Sequence, residues 1–131
     1  MAAMNGIVES EGAARRRRAQ GAKADALQDA LASMDPQMAE WADEFVFGQV
    51  WKPGPLSFEE QLLVAIVALG ATNNAGQLKN YVHGALQSGM DKEKIGQALR
   101  MLTVYAGFPY AINALTVLTE CMSAHERNSM R

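Results

Sequence analysis

The amino-acid sequence predicts an all-α protein of about six helices in a single domain. Apolar residues recur at three- and four-residue steps, helix-capping residues precede several of these runs, and no alternating strand pattern of useful length occurs. The 131 residues, 49% hydrophobic and 20% charged, suffice for one globular domain with an apolar core. We expect residues 1–12, which show no periodicity, to form a frayed tail and residues 13–131 to form the domain.

The first half of the chain contains three predicted helices. The first, over residues 13–22, would spread Arg15 to Arg18 around about one helical turn. We interpret this run as a solvated segment or a subunit contact rather than a nucleic-acid site, because no aromatic residue or glycine is interleaved with it. A second helix is predicted over 24–34, and Asp35-Pro36 marks the start of a third that ends near Gly48.

A loop rich in proline and glycine leads into the most apolar helix of the chain. Ser57 has Glu60 three residues on, which is the spacing of a capping box. The run from Leu62 to Leu69 that follows is apolar on every side, so we expect it to be buried on every side.

Three further helices are predicted after this run. Asn73-Asn74 interrupts it and can cap the next helix, which Gly89 ends. Asp91 caps another helix, whose core stripe ends at Tyr105. A last helix is expected from about Pro109 to Ala124.

His83 is the main candidate for a site residue. A step of about 100° per residue places it on the flank of its helix, a little over 100° from the centre of the apolar stripe, together with Lys79. From spacing alone it could be a half-exposed histidine without a role, and only another covering surface would bury it. A metal site is not expected, because the other histidine, His125, lies near the C-terminus and no carboxylate cluster flanks His83.

Composition excludes several classes of function. The net charge of −2 provides no global field for nucleic acid, and the longest apolar run is far shorter than the roughly 20 residues that span a bilayer. Cys121, the single cysteine, permits neither an intrachain disulfide nor a dithiol centre. Because the N-terminus also lacks the pattern of a secretory signal, we expect a soluble cytoplasmic protein without nucleic-acid or membrane partners.

Short motifs in a fixed order resemble the γ-carboxymuconolactone decarboxylase family over roughly residues 15–120. They are Phe45-Val-Phe-Gly-Gln-Val-Trp51, Pro53-Gly-Pro-Leu-Ser57, the apolar run 62–69, the segment around His83, and Tyr105-Ala-Gly-Phe-Pro109. The resemblance implies the all-helical alkylhydroperoxidase-like fold, assembled as a trimer or hexamer with the site in a cleft between subunits.

The resemblance also implies the chemistry. Members of the family convert 4-carboxymuconolactone to an enol-lactone with loss of carbon dioxide, without a cofactor or metal, in the protocatechuate branch of aromatic degradation. By this resemblance His83 would be the proton donor, and an imidazole titrates near neutral pH. Lys79 could bind a substrate carboxylate, and Tyr105 and Tyr81 are weaker candidates for orienting groups, with packing the simpler role for both.

Three departures from the family pattern keep alternatives open. Lys79-Asn-Tyr-Val-His83 replaces the more usual leucine, arginine and leucine pattern before the histidine, and Lys79 could supply a compensating positive charge. The thiol peroxidase branch carries a C-x-x-C pair before the histidine, and Gly76 and Lys79 stand at these positions here. Glu59 and Glu60 stand where the decarboxylases usually have arginine, and they would repel a carboxylate. The protein could therefore act on a similar acid, or be a catalytically silent helical oligomer that binds a small ligand or a partner protein.

Overall fold

The computed structural model describes residues 10–130, and every regular element in this range is helical, which confirms the predicted all-α class. The helices are α1 (Glu11–Gln20), α2 (Ala24–Met34), α3 (Pro36–Trp41), α4 (Phe58–Ala71), α5 (Ala75–Gln87), α6 (Lys92–Arg100), α7 (Leu102–Tyr105) and α8 (Phe108–Ser129). No helix in the described part of the chain is long and apolar enough to cross a membrane.

The helices form two compact units. The first unit ends at Gly54 and the second begins at Pro55. In the first unit α1 packs along the segment that follows α3, and α2 packs on α3. In the second unit α4, α5 and α8 pack against one another, and α6 and α7 pack on α4 and α8.

Helix α1 begins inside the segment predicted to be a frayed tail. The Ala13 amide donates to the Ser10 side chain at 3.0 Å, which caps the helix so that it starts at Glu11. Gly12 is buried against the backbone of Asp43, and a Cβ at Gly12 would collide with the Asp43 carbonyl. The rest of the predicted tail, residues 1–9, lies outside the described residues.

Helix α3 starts where the sequence predicted, and the helical run that it opens ends at Val50, two residues beyond the predicted break at Gly48. Asp35 caps it by accepting from the Gln37 amide at 3.0 Å, with Pro36 in the first turn. The helix continues as a π-helix over Ala42–Val50. The Trp51 amide closes this segment by donating to the Val46 carbonyl, five residues back, at 2.9 Å.

The capping box predicted at the head of α4 is confirmed. The Glu60 amide donates to Ser57 Oγ at 3.1 Å, and the Ser57 amide donates to Glu60 Oε1 at 2.8 Å.

The burial expected all round α4 is wrong for this chain. Leu62 and Ile66 are fully buried, whereas Val64 and Ala68 are exposed. The neighbouring helices of its own unit therefore cover one face of α4 only.

The breaks after α4 and α5 use the same backbone motif. Asn73 has a φ of 59°, and the amides of Asn73 and Asn74 donate to the carbonyls of Gly70 and Leu69. Asn74 precedes α5, but its side chain donates to Thr72 Oγ1 rather than capping that helix. At the end of α5, Gly89 has a φ of 93° and its amide donates to the Leu86 carbonyl, as the sequence predicted.

The last part of the second unit follows the predicted pattern with two changes. Asp91 caps α6 through the Glu93 amide at 2.9 Å, and Ile95, Leu99 and Leu102 are buried. The predicted single helix is interrupted at Met101. Tyr105, expected at the end of the core stripe, is 79% exposed on α7 and does not pack into the core.

Candidate functional site

His83 lies in a stretch of α5 that is buried on all sides. Five consecutive residues from Val82 to Leu86 are buried, and His83 itself is only 5% exposed. The flank position predicts burial only under another covering surface, and the fold of the single chain already provides one. Among the described residues no buried side-chain nitrogen or oxygen lacks a hydrogen-bond partner, so this burial leaves no buried imidazole nitrogen unsatisfied.

Lys79 lies one turn before His83 on the same face of α5. Residues four apart on a helix have Cβ atoms about 5–6 Å apart. Lys79 is exposed whereas His83 is buried, so this face runs from a solvated ammonium group to an enclosed imidazole. Of the predicted site residues, Lys79 and His83 are the two that share one face of a helix.

Cys121 joins α8 to the turn of α5 that carries Lys79. Its thiol is fully buried and donates to the Lys79 carbonyl at 3.7 Å. This contact fixes the backbone one turn before His83. The sequence offered no signal for it, because 42 residues separate the two partners.

The two tyrosines are not placed beside His83 in the same way. Tyr81 is partly buried on α5, but residues two apart on a helix do not face each other, so it lies away from the face of His83. Tyr105 is on α7, which packs on α4, α6 and α8. Within the second unit neither tyrosine joins the face shared by Lys79 and His83.

Glu59 and Glu60, whose charges are expected to repel a carboxylate, both have local partners. Glu59 Oε2 accepts from Lys94 Nζ on α6 at 3.1 Å, which offsets its charge. Glu60 is held in the capping box with Ser57. Their repulsion of a bound anion is therefore weaker than two unpaired carboxylates would produce.

Two residues of the arginine run, Arg15 and Arg16, bond within the first unit, whereas Arg17 and Arg18 are exposed. Arg16 is 4% exposed, and its Nε donates to Asp43 Oδ1 at 2.6 Å while its Nη1 donates to the Ala24 carbonyl at 2.9 Å. Arg15 Nη1 donates to the carbonyls of Phe47 and Gly48 at the end of the π-helix. These bonds tie α1 to the start of α2 and to the π-helix.

Asp25 adds a surface ion pair to the bonds of Arg15 and Arg16, and together these bonds form the charged network of the first unit. Asp25 accepts from Arg17 Nε at 2.9 Å and lies 3.4 Å from Arg16 Nη1. The hydrogen bond from Arg17, the charge of Arg17 and the bond from Arg16 lower the pKa of Asp25 below its ordinary value of 3.8, against a smaller opposing effect of burial.

Within residues 10–130 no group of three or more histidine, cysteine, aspartate or glutamate side chains is arranged to hold a metal ion.

Comparison with known protein families gives a match over the last part of the first unit and most of the second unit. The model of the carboxymuconolactone decarboxylase family matches residues 36–120, which is more than half of the chain and includes α4 to α7 and most of α8. The match contains His83, Lys79, Tyr81 and Tyr105 and excludes the arginine run. A search of curated proteins finds no match.

Proposed function

Because the chain belongs to the carboxymuconolactone decarboxylase family, we propose that it is a cofactor-free decarboxylase acting on a carboxylated, unsaturated lactone such as 4-carboxymuconolactone. Membership supports a decarboxylase-like or alkylhydroperoxidase-like activity. The thiol peroxidase chemistry needs two cysteines, and the chain has only Cys121, which is buried. The decarboxylase is therefore the better supported of the two activities.

The reaction needs few groups from the protein. The bond between the ring carbon and the carboxylate breaks, carbon dioxide leaves, and the electron pair passes through the conjugated ring onto the lactone carbonyl as a dienolate. The protein has to bind the substrate carboxylate, hold the developing oxyanion with a donor, and deliver a proton to carbon. A cation is suited to binding the substrate carboxylate, and an imidazole on the same helix face is suited to delivering the proton.

The face of α5 shared by Lys79 and His83 is the single observation that carries this proposal. The ammonium group at the solvated end is suited to a carboxylate, and the imidazole at the enclosed end is suited to proton transfer away from bulk water. In this proposal Lys79 binds the substrate and His83 is the catalytic acid, with the Cys121 contact positioning the turn between them. Tyr81 and Tyr105 remain candidates for orienting groups.

The proposal includes a homo-oligomer, a trimer or hexamer, with the site in a cleft between subunits. Apolar side chains on the second unit are exposed in the single chain, among them Phe108 and Ile112 in the first turns of α8. Exposed apolar groups of this kind are favourable to cover with a second copy. That copy would supply the donor to the oxyanion that the face of α5 does not provide.

The test follows the ultraviolet absorbance of 4-carboxymuconolactone with wild-type enzyme and with His83→Ala. Removing a general acid is expected to lower kcat by roughly 10²- to 10⁴-fold. His125→Ala removes the other histidine and should leave the rate unchanged. Lys79→Ala should mainly raise KM for the lactone, and Lys79→Arg should bring KM back close to the wild-type value.

Two results would overturn the proposal. If the wild type shows no turnover of this lactone or of similar unsaturated acids, the activity is wrong. If His83→Ala turns over as fast as His125→Ala, the role of His83 is wrong even if the activity is right.

A further inference from the structure

The first unit carries an apolar groove of about 560 Å³ that the proposed reaction does not use. Its lining residues are all apolar: Leu31, Met38, Trp41, Ala42, Phe45 and Val46. Trp41 is 52% exposed and Phe45 is 54% exposed, so two aromatic side chains of the groove face solvent.

The walls of the groove are fixed by hydrogen bonds behind them. Gln28 Nε2 on α2 donates to the Ala39 carbonyl on α3 at 2.7 Å, which holds the two helices that line the groove. Asp43 on the π-helix is tied to the buried Arg16 at 2.6 Å. The wide turn of a π-helix also keeps residues four and five apart, such as Trp41, Phe45 and Val46, on one side. The groove is therefore formed before any ligand arrives.

We propose that this groove binds a small, uncharged, apolar molecule with an aromatic or extended aliphatic part. Its volume falls in the range of about 300–1,000 Å³ that is usual for ligand sites. Trp41 and Phe45 can stack on a planar group, and the flexible Met38 can adapt to its outline. A charged group would lose its hydration here without a compensating partner, because no lining residue is polar.

The lining of the groove also separates this ligand from the carboxylated lactone of the proposed reaction. None of the six lining residues carries a positive charge that would pair with a carboxylate. The inference therefore does not rest on the proposed function.

A small molecule fits the groove better than a second copy of the chain does. A standard protein interface uses about 20–30 residues a side, whereas six side chains line this groove.

The experiment titrates the whole chain with N-phenyl-1-naphthylamine, a neutral dye whose emission rises in apolar surroundings. We expect saturable binding of one dye per chain, displaced by naphthalene and at least about tenfold less well by 1-naphthoate. Phe45→Glu should weaken dye binding by at least about tenfold, because it places a carboxylate in the groove. Val104→Glu is the matched control, since Val104 is 78% exposed and belongs to the second unit.

Met38→Gln is a milder variant of the groove that keeps the test valid if Phe45→Glu fails to fold. The proposal is overturned if the dye does not saturate, if naphthoate displaces it as well as naphthalene does, or if both groove variants bind the dye like the wild type. It is also overturned if sedimentation velocity shows that Phe45→Glu splits an oligomer that Val104→Glu leaves intact, because a second copy would then occupy the groove.

Discussion

The two compact units of the chain bury different kinds of side chain. In the second unit the fully buried groups are large and apolar, and they include Leu62, Ile66, Leu78, Val82, Ile95 and Leu99. In the first unit most of the buried residues are small, such as Ala13, Ala19, Ala24 and Ala39, and Phe47 is the large apolar exception. The first unit also buries Arg16, a charged side chain that has no counterpart among the buried residues of the second.

The difference shows two ways of holding helices together. Large side chains in the second unit gain from leaving water, at about 25 cal/mol per Å² of apolar surface. Small side chains in the first unit gain less free energy from burial. They let two helix backbones approach closely, as the backbones at Gly12 and Asp43 do. There the arginine bonds to Asp43, the Ala24 carbonyl and the end of the π-helix provide much of what orders the helices.

The largest expected effect is on the apolar core of the second unit. Leu62→Ala removes a fully buried side chain, and the lost transfer free energy and the remaining cavity should lower the free energy of unfolding by about 4 kcal/mol. Val64→Ala on the same helix is the matched control, and its exposed side chain should make the change about 0.5 kcal/mol or less. Urea unfolding measures both, and equal losses would mean that α4 is covered on both faces.

The next effect is on the charged network of the first unit. Arg16→Ala leaves the Asp43 carboxylate and the Ala24 carbonyl without their donor and should lower the free energy of unfolding by about 3 kcal/mol. Arg17→Ala should cost about 1 kcal/mol or less, because Arg17 pairs with Asp25 at the surface.

Hydrogen exchange should show where the Arg16→Ala loss occurs. Amides of α1 and the π-helix should exchange faster, whereas those of α4 and α5 should change little. Uniform acceleration over both units would show that the Arg16 network does not act on the first unit in particular.

The close contact of α1 with the π-helix gives a third, smaller effect. Gly12→Ala places a Cβ against the Asp43 carbonyl, and the forced shift of the helices should cost about 1–3 kcal/mol. Gly76→Ala is the control, since nothing lies within 4 Å of a Cβ there and alanine favours the helix. Thermal unfolding compares them, and an unchanged midpoint for Gly12→Ala would show that the two segments can separate without loss.

Local structure could be predicted from the sequence where its cause is local. The caps at Asp35, Ser57 and Asp91 and the end of α5 at Gly89 depend on residues within a few positions, and all four are confirmed. The π-helix could not be predicted, because the close contact and the ion pair that accompany it join residues about 30 positions apart.

Burial was predicted less well because it depends on distant neighbours. The apolar composition of α4 is compatible with burial on every side, but the helices around it cover one face. His83 was placed on a flank by its spacing, yet the fold encloses it, since α5 packs on both α4 and α8. In the same way, nothing in four consecutive arginines shows which of them points inward.

The smallest effect concerns Asp25 and depends on pH. Arg17 and Arg16 lower its pKa below 3.8 in the folded chain, so the folded state holds the charged carboxylate more firmly than the unfolded chain does. This stabilisation is fully present above the ordinary value and is lost as the pH falls through the lower folded pKa. Stability measured from pH 5 to pH 2 should therefore fall less steeply for Asp25→Asn than for the wild type. If the free energy of unfolding falls with pH at the same slope for both proteins, the ion pair of Asp25 adds nothing to the stability of the first unit. The buried bonds of Arg16 then account for the order of that unit alone.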